Sequence, residues 1–547
     1  MPSSPLAQFL KWEKEIPGEL FLRQPFNAVW KTWTWEQAAD EARRLAAGLI
    51  SSGLMKGDHV AILSKNCAQW IIADLAIMMA GCVSIPVYPT LSAAAIKPIL
   101  IHSDAKAIIT GKLDDFSKQV DGIPSGMIHI GINIYGTGGH YSMEELIGKN
   151  EPLPSVNAWQ PDDILTIIYT SGTTGRSKGV MHCVNAFDTV VPLVVTTLKM
   201  PVRPTVFSYL PLSHIAERMG IEMYGIYYGA SISFAESIET FPKNLRDTQP
   251  HLFFAVPRIW GKLREVILKK LPQKKLDLLL SVPLVGMLIK KSIRKRMGLK
   301  RATHIYSSAA PLSPDLQKWF VNIGINVCQA YGMTEDCVYS HFDIPTDFRI
   351  GKVGRPLPGL KVKIAADGEL REKSISNMMG YYKEPLLTAE AFDEEQYLRT
   401  GDIGEYDAEG FLSITGRVKD LFKTDKGKYI APAPIEMQLL ANLKIDQACV
   451  VGTGVPQPIA LVTLSEAGMK NVKQDLLTEL SSFLRSVNNG LEVFERLEKM
   501  VIMKENWTIE NGMLTPSLKV KRNEVEKIHL SKYPTWFNEQ DMIVWEK

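Results

Sequence analysis

Residues 169–179 read YTSGTTGRSKG and follow ILTII at 164–168, an apolar run typical of a buried strand. The glycines at 172, 175 and 179 let backbone N–H groups approach a ligand closely. Consecutive N–H groups and hydroxyls in such a loop form a concave anion site, to which Lys178 adds a mobile positive charge. The stretch therefore predicts a strand followed by a loop that cradles a polyphosphate.

A glycine-rich stretch can also be a common P-loop or a flexible turn. The common P-loop ends in Gly-Lys-Ser/Thr, whereas this loop closes with Ser-Lys-Gly at 177–179. A generic loop of Gly, Ser and Thr also fits a flexible turn. The complete string, however, resembles the phosphate loop of the adenylate-forming enzymes, which include acyl-CoA synthetases, luciferases and peptide-synthetase adenylation domains. The resemblance implies an ATP-binding role for Thr170, Ser171, Gly172, Thr173, Thr174, Gly175 and Lys178, and a second role for Thr174 as a Mg²⁺ ligand.

The composition is that of an ordinary globular protein. The chain has 547 residues, enough for about three or four domain-sized units. A net charge of +3 gives no global field that would attract nucleic acid. Six scattered cysteines, without metal-site spacing, fit a reducing compartment. The N-terminal residues lack the pattern of a signal peptide, and no apolar run reaches the ~18 residues of a membrane-spanning helix. We therefore expect a cytoplasmic protein.

The first hundred residues alternate between helix and strand patterns. Thr34 is placed to cap a helix with apolar residues at helical spacing, and HVAIL at 59–63 reads as a strand. An apolar helix at 70–79 and a second strand, within AGCVSIPVYPT at 80–90, follow. This order predicts an α/β fold with parallel or mixed sheets flanked by helices. The family resemblance adds a large N-terminal domain at 1–416, a hinge at 417–420 and a small α+β lid domain at 421–547.

His214 lies in LPLSHIAER at 210–218, which runs from a strand into a helix. A lone histidine near an apolar strand is usually a satisfied core residue. The segment resembles the part of long-chain acyl-CoA synthetases that lies at the carboxylate end of the acyl pocket. The resemblance implies that His214 positions the substrate. Some family members carry an aromatic gate near the end of this segment, where this chain has Arg218.

Two further segments resemble the nucleotide site of the family. In SSAAPL at 307–312, small side chains would let a flat ring lie against the backbone. In VCQAYGMTE at 327–335, Tyr331 offers a ring face for adenine, Thr334 a hydroxyl for the α-phosphate and Glu335 a hard oxygen ligand for Mg²⁺. The resemblance assigns nucleotide binding to Ser308, Ala309, Ala310, Pro311, Gln329, Ala330, Tyr331, Gly332 and Met333, and catalysis to Thr334 and Glu335.

The remaining candidates lie in the last third of the chain. Asp402 follows a glycine turn and could accept both ribose hydroxyls, as acidic residues do in dinucleotide folds. The segment GRVKD at 416–420 resembles the superfamily hinge, in which Arg417 also reaches the ribose and Lys419 is the pivot. By the same resemblance Gly427 lets the pantetheine arm of CoA pass, and Lys519 is the lysine that reaches into the active site. His182 is out of register with a family histidine and receives no role.

A basic segment lies at 269–301, where eleven Lys and Arg residues face one acidic residue. Between its basic clusters lies an apolar stretch, LDLLLSVPLVGMLI at 276–289. This pattern fits an interfacial segment that docks on a membrane. It equally fits an ordinary surface helix pair interrupted at Pro283, and the sequence leaves both interpretations open.

The resemblance extends from about Trp33 to Arg522, and its best local agreement is with long-chain fatty acyl-CoA synthetases. It implies ATP-dependent formation of an acyl-adenylate, with release of pyrophosphate, followed by transfer of the acyl group to CoA. The expected reactants are a fatty acid, ATP and CoA, with Mg²⁺. Alternatives are a fatty acyl-AMP ligase that loads a carrier protein, which Gly427 and the uninterrupted hinge disfavour, and a non-catalytic lipid-binding relative. An amino-acid adenylation domain would need an acidic anchor for the amine, and none is evident.

Overall fold

The structure, a computed structural model, describes residues 4–171, 177–470, 472–515 and 518–547, with Ser171 described by its main chain alone. These residues form five sheets, and helices pack between and around them. A large N-terminal region of mixed sheets precedes a smaller C-terminal α+β region. The predicted α/β class is therefore confirmed.

The strands of the described residues, in chain order, are β1 Leu20–Phe26, β2 Val29–Thr34, β3 His59–Leu63, β4 Val83–Val87, β5 Ala105–Thr110, β6 Ile128–Gly131, β7 Tyr141–Ser142, β8 Ile164–Ser171, β9 Ser177–Cys183, β10 Thr205–Ser208, β11 Ser231–Phe234, β12 Leu252–Ala255, β13 His304–Ser307, β14 Cys328–Tyr331, β15 His341–Phe342, β16 Arg355–Pro356, β17 Lys361–Ile364, β18 Glu369–Lys373, β19 Gly380–Tyr381, β20 Leu398–Tyr406, β21 Leu412–Arg417, β22 Phe422–Lys423, β23 Tyr429–Ile430, β24 Ile445–Val451, β25 Ile459–Leu464, β26 Lys499–Ile502 and β27 Ile543–Trp545.

The α-helices are α1 Pro5–Glu15, α2 Trp35–Ser51, α3 Ala68–Met79, α4 Ala93–His102, α5 Met143–Lys149, α6 Val184–Leu198, α7 Ile215–Glu217, α8 Tyr224–Tyr228, α9 Phe241–Thr248, α10 Pro257–Lys270, α11 Gln273–Leu280, α12 Pro283–Arg296, α13 Pro314–Asn322, α14 Pro385–Ala391, α15 Pro432–Leu439, α16 Glu466–Met469, α17 Lys473–Asn489, α18 Arg522–His529 and α19 Tyr533–Phe537. A π-helical turn, Arg218–Met223, joins α7 to α8. Short 3₁₀ turns lie at Phe116–Lys118, Val120–Gly122, Asn133–Tyr135, Val418–Asp420 and Leu530–Lys532.

Two large mixed sheets build the N-terminal region. The first has the order β16-β15-β14-β13-β12-β10-β11-β1-β2, and the second has the order β19-β9-β8-β4-β3-β5-β6-β7. In both sheets the inner strands are parallel, and antiparallel strands lie at both ends of the first sheet and at the β19 end of the second. The connections of parallel strands bring loops to one edge of a sheet, where ligands bind in open α/β folds. Strands β8, β13 and β14, each parallel to a neighbouring strand, end directly before three segments that the sequence predicts to bind the nucleotide.

Local sequence signals explain the helices that join these sheets. Thr34 caps α2, since its hydroxyl accepts a hydrogen bond from Gln37 N while the Gln37 side chain returns one to the cap. Helix α3 is apolar on every face, and all twelve of its residues are buried. It packs against α2 and the neighbouring strands in the largest hydrophobic core. One charged residue, Asp74, lies within this buried helix.

A small antiparallel sheet, β17-β18-β20-β21, leads from the large sheets towards the C-terminal region. That region is centred on the sheet β24-β25-β26-β27. Side chains of β24 alternate between its two faces, so that Ala448 and Val450 join one apolar cluster while Cys449 and Val451 join the other. Helices α15 and α17 cover the first face, and α18 and α19 cover the second. The exact domain limits, with a hinge at 417–420, stay a prediction.

No helix in the described part of the chain has both the length and the apolar character needed to cross a bilayer.

Candidate active site

Asp402 lies at the centre of a small hydrogen-bonded group. It stands on β20 directly opposite Arg417 of β21, because the register of the two antiparallel strands pairs them. Its Oδ1 accepts a hydrogen bond from Arg417 Nε at 2.7 Å, and its Oδ2 accepts one from the Tyr331 hydroxyl at 2.7 Å. Strand register and β14 thus bring together three residues that the sequence placed in the nucleotide site.

Glu335 lies beside this group and is buried. The Tyr381 hydroxyl donates to its Oε1 at 2.9 Å, and Lys178 Nζ lies 4.7 Å from the centroid of the same Tyr381 ring. Burial raises the pKa of Glu335, and the Tyr381 hydrogen bond and the charges of Lys178 and Arg417 partly offset that rise. A carboxylate here is therefore held among positive charges.

The Glu335 carboxylate fits a Mg²⁺ ion by its chemistry. Mg²⁺ is typically held by one or two carboxylates together with substrate phosphates rather than by an all-protein cage. In keeping with this, no group of three or more His, Cys, Asp or Glu residues able to hold a metal occurs in the described ranges. The other expected ligand, Thr174, lies outside the described residues, as do Gly172, Thr173 and Gly175.

The described parts of the polyphosphate loop are its two strand ends. Thr170, on β8, pairs with Lys178, on β9, and Ser171 with Ser177. The sequence prediction of a strand before the loop is confirmed by β8. The cation of Lys178 lies on the same side as Glu335, through their shared contact with Tyr381.

Thr334 is held by a histidine that the sequence analysis left without a role. His182, on β9, is fully buried, and its Nε2 lies 2.7 Å from the Thr334 carbonyl oxygen. Because a carbonyl only accepts, Nε2 carries the proton and donates. Burial lowers the pKa of His182 to about 4. The neutral ring therefore holds the backbone of the YGMTE segment through this hydrogen bond. The sequence alone could not reveal the contact.

The small residues of the adenine segment have distinct environments. Ser308 is buried and lines an apolar cavity described below, while Ala309 has a left-handed backbone with φ +70° and Ala310 and Pro311 are exposed. The Gln329 amide holds this segment, since its Oε1 accepts from Leu312 N at 3.2 Å and its Nε2 donates to Lys352 O at 2.8 Å. The side-chain amide of Gln329 therefore forms its hydrogen bonds within the protein itself.

The loop after β14 requires a glycine and carries strain. A Cβ on Gly332 would lie 2.9 Å from Val338 Cα, which no neighbouring side-chain motion could relieve. Cys337 and Val338 both have positive φ, 60° and 56°, which is rare for a β-branched residue. Met333 N donates to both oxygens of Asp336 at 3.0 Å. Strain of this kind is found where a loop is held in one shape for function.

Lys519 approaches the same group from the C-terminal region. It follows Leu518, whose φ is +63°, and its N–H donates to Thr515 Oγ1 at 3.0 Å. Lys519 is exposed as a residue, yet protein surrounds its ammonium closely enough for desolvation to be the main cause of its lowered pKa. The charge of Arg417 lowers the pKa further, whereas Asp402 and Glu335 raise it. The lysine thus lies within electrostatic reach of the nucleotide-site residues.

His214 lies within reach of the charge of this lysine. Its Nδ1 accepts a hydrogen bond from Ala216 N at 3.1 Å, so the ring caps the short helix α7 and carries its proton on Nε2. Burial lowers the pKa of His214 to about 4, with a smaller contribution from the charge of Lys519. A neutral imidazole of this kind can donate its Nε2–H in a hydrogen bond to a substrate oxygen.

The segment that carries His214 is anchored by two polar residues that the sequence analysis did not single out. Asn66 donates to Ser208 Oγ and Leu210 O and accepts from Leu212 N. Glu217 Oε1 accepts from Ser208 Oγ and Tyr209 N, both at 2.9 Å. Burial raises the pKa of Glu217 to about 8. Asn66 is 144 residues from Leu210 in the chain, so only the fold brings them together.

A narrow apolar cavity with a volume of about 90 Å³ starts beside these residues. Its lining includes Ala216, Glu217 and Ser308 near the site and continues along α6, the π-helical turn, Tyr224 and Phe254. Cys337 and Val338, the two strained residues, also line it. The cavity therefore lies between the segments predicted to bind the nucleotide and the apolar side chains of α6.

Arg218 does not line the cavity. Its side chain is fully buried on the other side of the π-helical turn, where Nη2 lies 2.8 Å from Asp74 Oδ2 and Nε lies 3.7 Å from Glu222 Oε2. Arg218 corresponds to the aromatic gate of some family members only by its position in the chain. In the structure that position anchors the turn to α3 and contributes no gate.

The remaining candidates lie at the start of the C-terminal region. Lys419 is in the 3₁₀ turn Val418–Asp420, directly after Arg417 on β21. Gly427 is in the turn between β22 and β23, where φ is +77° and its N–H donates to Thr424 O at 2.8 Å. The positive φ explains a glycine at this turn. The functions of these two residues stay predictions.

The comparisons with known proteins agree with this geometry. The sequence profile of AMP-binding enzymes matches residues 13–382, and that of the AMP-binding enzyme C-terminal domain matches 419–532. Similar proteins include the long-chain-fatty-acid–CoA ligase FadD15 of Mycobacterium bovis, 29% identical over 98% of this chain and 97% of that protein. Another is the long-chain-fatty-acid–CoA ligase ACSBG2 of Xenopus laevis, 27% identical over 93% of this chain and 80% of that protein.

Solved structures share the fold at lower sequence identity. The adenylation domain of a carboxylate reductase from Mycobacterium chelonae superposes with a TM-score of 0.82 at 19% identity, covering 98% of this chain and 92% of that one. The o-succinylbenzoate CoA synthetase of Bacillus subtilis, in complex with an acyl-adenylate intermediate, has a TM-score of 0.75 at 22% identity and covers 95% of this chain and 97% of that one.

Proposed function

The chain belongs to the family of AMP-binding enzymes, and from this premise we propose that it is an AMP-forming ligase that joins a long-chain fatty acid to CoA. In the first step the acid carboxylate attacks the α-phosphorus of ATP, which forms acyl-AMP and releases pyrophosphate. In the second step the thiol of CoA attacks the acyl carbon and AMP leaves. The names of the similar ligases support a long-chain acid as substrate.

The observation that carries the proposal is the link between the Asp402 group and an apolar cavity: Tyr331, which donates to Asp402, directly follows Ala330 on β14, and Ala330 lines the cavity. The interactions that set the pKa of Lys519 include Asp402 and Glu335, although Lys519 is more than a hundred residues away from either. Ser308, directly after β13, and Ala216, two residues after His214, also line the cavity. A fatty acid would therefore lie with its tail in the cavity and its carboxylate facing the triphosphate.

The chemistry of the first step needs positive charge. Two anions, a carboxylate and a triphosphate, must approach each other, so catalysis depends on positioning and on cations aimed at the developing charge. Lys519 would supply one such cation at the α-phosphate, and Lys178 would hold the leaving pyrophosphate. Mg²⁺ held by Glu335 would neutralise phosphate charge when it is bound. The N–H and hydroxyl groups of 170–175 would bind the phosphate oxygens.

Other residues would position the reactants. Asp402 and Arg417 would bind the ribose hydroxyls, and Tyr331 would present its ring to adenine between Asp402 and the 308–311 segment. His214 Nε2–H would donate to a carboxylate oxygen of the acid. His182 would act only through the Thr334 carbonyl that it holds, which makes it a positioning residue.

The second step requires access for CoA. We propose that the C-terminal region turns about Lys419 after acyl-AMP has formed, which withdraws Lys519 and brings Gly427 to the entry path of the pantetheine arm. The positive φ of Gly427 and the absence of a side chain there support this assignment. Residues 417–420 lie between two separately packed cores, as a hinge requires.

The test of the function is pyrophosphate release from ATP with fatty acids of graded length, with and without CoA, together with detection of acyl-CoA. The proposal expects release with long-chain acids and acyl-CoA when CoA is present. Release without thioester formation would favour a ligase that loads a carrier protein. No release with any acid would favour a lipid-binding protein without catalysis.

We also propose that the α11–α12 helix pair docks on anionic membranes, where a lipid-soluble substrate collects. The apolar side chains between the basic clusters point outward: Leu284 is 73% exposed and Leu288 is 65% exposed. A groove beside them combines Leu280, Pro283 and Met287 with Lys290 and Lys291. Apolar side chains enter a bilayer surface while neighbouring lysines bind anionic headgroups, so this surface suits a bilayer. The protein would then work at the cytoplasmic face of a membrane.

The membrane proposal is tested by pelleting the protein with vesicles that contain anionic or only zwitterionic phospholipid. We expect salt-sensitive pelleting with the anionic vesicles, and loss of pelleting in Leu284→Glu/Leu288→Glu. The matched control is Ile238→Glu, because Ile238 is 86% exposed and lies outside this helix pair. Absence of pelleting at low salt would refute the docking surface and leave the proposed ligase activity untouched.

A further inference from the structure

The π-helical turn Arg218–Met223 forms one wall of the apolar cavity. Met219, Gly220 and Ile221 line the cavity, whereas Arg218 and Glu222 face the opposite side. A π-helical turn is rare, and such turns are frequently found at functional sites. One face of the turn therefore lines the cavity, and the other face packs in the protein core.

The core-facing side fixes the turn in place. Arg218 and Asp74 are fully buried, and their ion pair joins the turn to α3 at 2.8 Å. The Arg218 guanidinium also lies 5.5 Å from the centroid of the Trp70 ring. A buried ion pair leaves an uncompensated charge if one partner moves away. The ion pair therefore ties the turn to α3, and the residues Met219 to Ile221 shape this part of the cavity wall.

Gly220 presents no side chain at the centre of this wall. A Cβ built at Gly220 would meet no atom within 4 Å, and its φ is not in the left-handed region. Gly225, five residues further on, differs because a Cβ there would lie 2.9 Å from Ile232 Cδ1. Neither backbone conformation nor packing therefore demands glycine at 220, and glycine destabilises a helical turn relative to alanine. What its absent side chain provides is space inside the cavity.

We propose that Gly220 determines the length of acid that the cavity accepts, because its missing side chain leaves the passage along which a long acyl chain continues past the π-helical turn. The proposal rests on the proposed ligase function for the identity of the ligand as a fatty acid. A short acid would end before Gly220 and would not contact a side chain at this position. A long acid would pass it, so that any side chain at 220 would displace methylene groups from the cavity.

The expected size of the effect follows from the burial of methylene groups. Each methylene that loses its place in an apolar cavity lowers affinity about fourfold. Displacing two or three of them should therefore lower kcat/KM for a long acid by roughly 10- to 60-fold. The loss for a short acid should be much smaller, so the ratio of the two specificity constants is the informative quantity.

The experiment compares Gly220→Ala, Gly220→Leu and Gly220→Phe with the unchanged protein. The specificity constant for pyrophosphate release is measured with saturated acids of eight, twelve and sixteen carbons. The expected result is a graded fall in the sixteen-to-eight ratio, by at least tenfold in Gly220→Phe. Gly148→Leu is the matched control, since Gly148 is exposed on α5 and a Cβ there also meets no atom within 4 Å. Its ratio should stay unchanged.

A second readout separates this proposal from the proposed function. Competition of the same acids against a fluorescent sixteen-carbon fatty acid measures binding without ATP, so it reports on the cavity even if no pyrophosphate is released. The proposal expects the sixteen-carbon acid to lose affinity across the series while the eight-carbon acid changes little. An unchanged ratio in both assays, in folded Gly220→Ala and Gly220→Leu, would overturn the role of Gly220.

Discussion

The carboxylate of Asp402 accepts a hydrogen bond from Arg417 Nε at 2.7 Å across two paired strands, at the point where the chain leaves the N-terminal sheets. The pair therefore combines the proposed ribose site with the first residue of the proposed hinge. The charge of Asp402 is the main cause of the raised pKa of Arg417. Any rotation of the C-terminal region must start directly beside this ion pair, which makes the pair a fixed reference for both proposed steps.

The first prediction concerns Asp402→Ala. Removing the carboxylate takes away both acceptors for the ribose hydroxyls and leaves Arg417 without its partner. We expect kcat/KM for ATP to fall about 100-fold, in line with the loss of a single preorganised contact. The binding of fatty acid without ATP, measured by competition with a fluorescent fatty acid, should stay the same, because Asp402 does not line the cavity.

Glu394→Gln is the control for this experiment, since Glu394 is an exposed acidic residue before the same strand. An equal loss of affinity for ATP and for fatty acid in Asp402→Ala would contradict the assignment of Asp402 to the nucleotide.

The second prediction concerns the pH dependence of stability through His182. Its pKa is about 4 in the folded protein against an ordinary value near 6.5, so the unfolded chain binds the proton first as the pH falls. The stabilisation is complete above pH 6.5 and is lost as the pH falls towards 4. Between pH 7.5 and pH 5 the loss from this one residue should be on the order of 2 kcal/mol.

The measurement is urea unfolding at these two pH values for the unchanged protein and for His182→Gln, which keeps a donor for the Thr334 carbonyl but cannot titrate. We expect a smaller pH-dependent loss of the free energy of unfolding in the variant. His140→Gln serves as the control at an exposed position. The same pH dependence in all three proteins would mean that His182 is not the buried neutral group described.

The third prediction tests the anchor of the π-helical turn. Arg218→Met leaves the Asp74 carboxylate buried without its partner, so we expect a loss of about 3–5 kcal/mol in the free energy of unfolding. The double variant Arg218→Met/Asp74→Leu replaces both charges with apolar groups of similar size and should recover most of that loss. Urea unfolding measures both. A double variant no more stable than Arg218→Met would show that the ion pair is not what holds the turn.

The sequence predicted the regular elements and the chemistry-bearing segments because their signals are local. The Thr34 cap, the strand at 59–63 and the buried helix that ends at Met79 follow from capping chemistry and apolar periodicity over a few residues. The residues of the YGMTE segment and Asp402 could be named because these stretches resemble motifs of the family and carry suitable side-chain chemistry.

Contacts between distant parts of the chain account for what the sequence did not predict. Arg218 pairs with Asp74, 144 residues earlier. The sequence shows only that Arg218 stands where some family members have an aromatic gate, so it could not place this side chain in the core. His182 holds a backbone carbonyl 152 residues away, which no side-chain pattern can encode. The side-chain amide of Gln329 forms hydrogen bonds with the backbone of Leu312 and Lys352. The apolar cavity likewise depends on how helices pack, so its lining could not be derived from spacing.

The fourth prediction concerns the pH dependence of adenylation. Desolvation and the charge of Arg417 lower the pKa of Lys519, so its positive charge is lost at a lower pH than for an ordinary lysine. The rate of acyl-AMP formation should therefore decline on the alkaline side. Lys519→Arg keeps its charge at that pH and should move the decline upward, whatever its rate at neutral pH. An identical alkaline limb in both proteins, followed by pyrophosphate release, would exclude Lys519 as the titrating cation.

The central claim is that Lys519 acts in the first half-reaction alone, at a site shared with Glu335 and Asp402. The most direct measurement compares both half-reactions in Lys519→Ala, with Lys521→Ala as the matched control. The account predicts a loss of acyl-AMP formation by 100-fold or more, while thioester formation from supplied acyl-AMP and CoA proceeds as in the unchanged protein. Equal losses in the two half-reactions would contradict it.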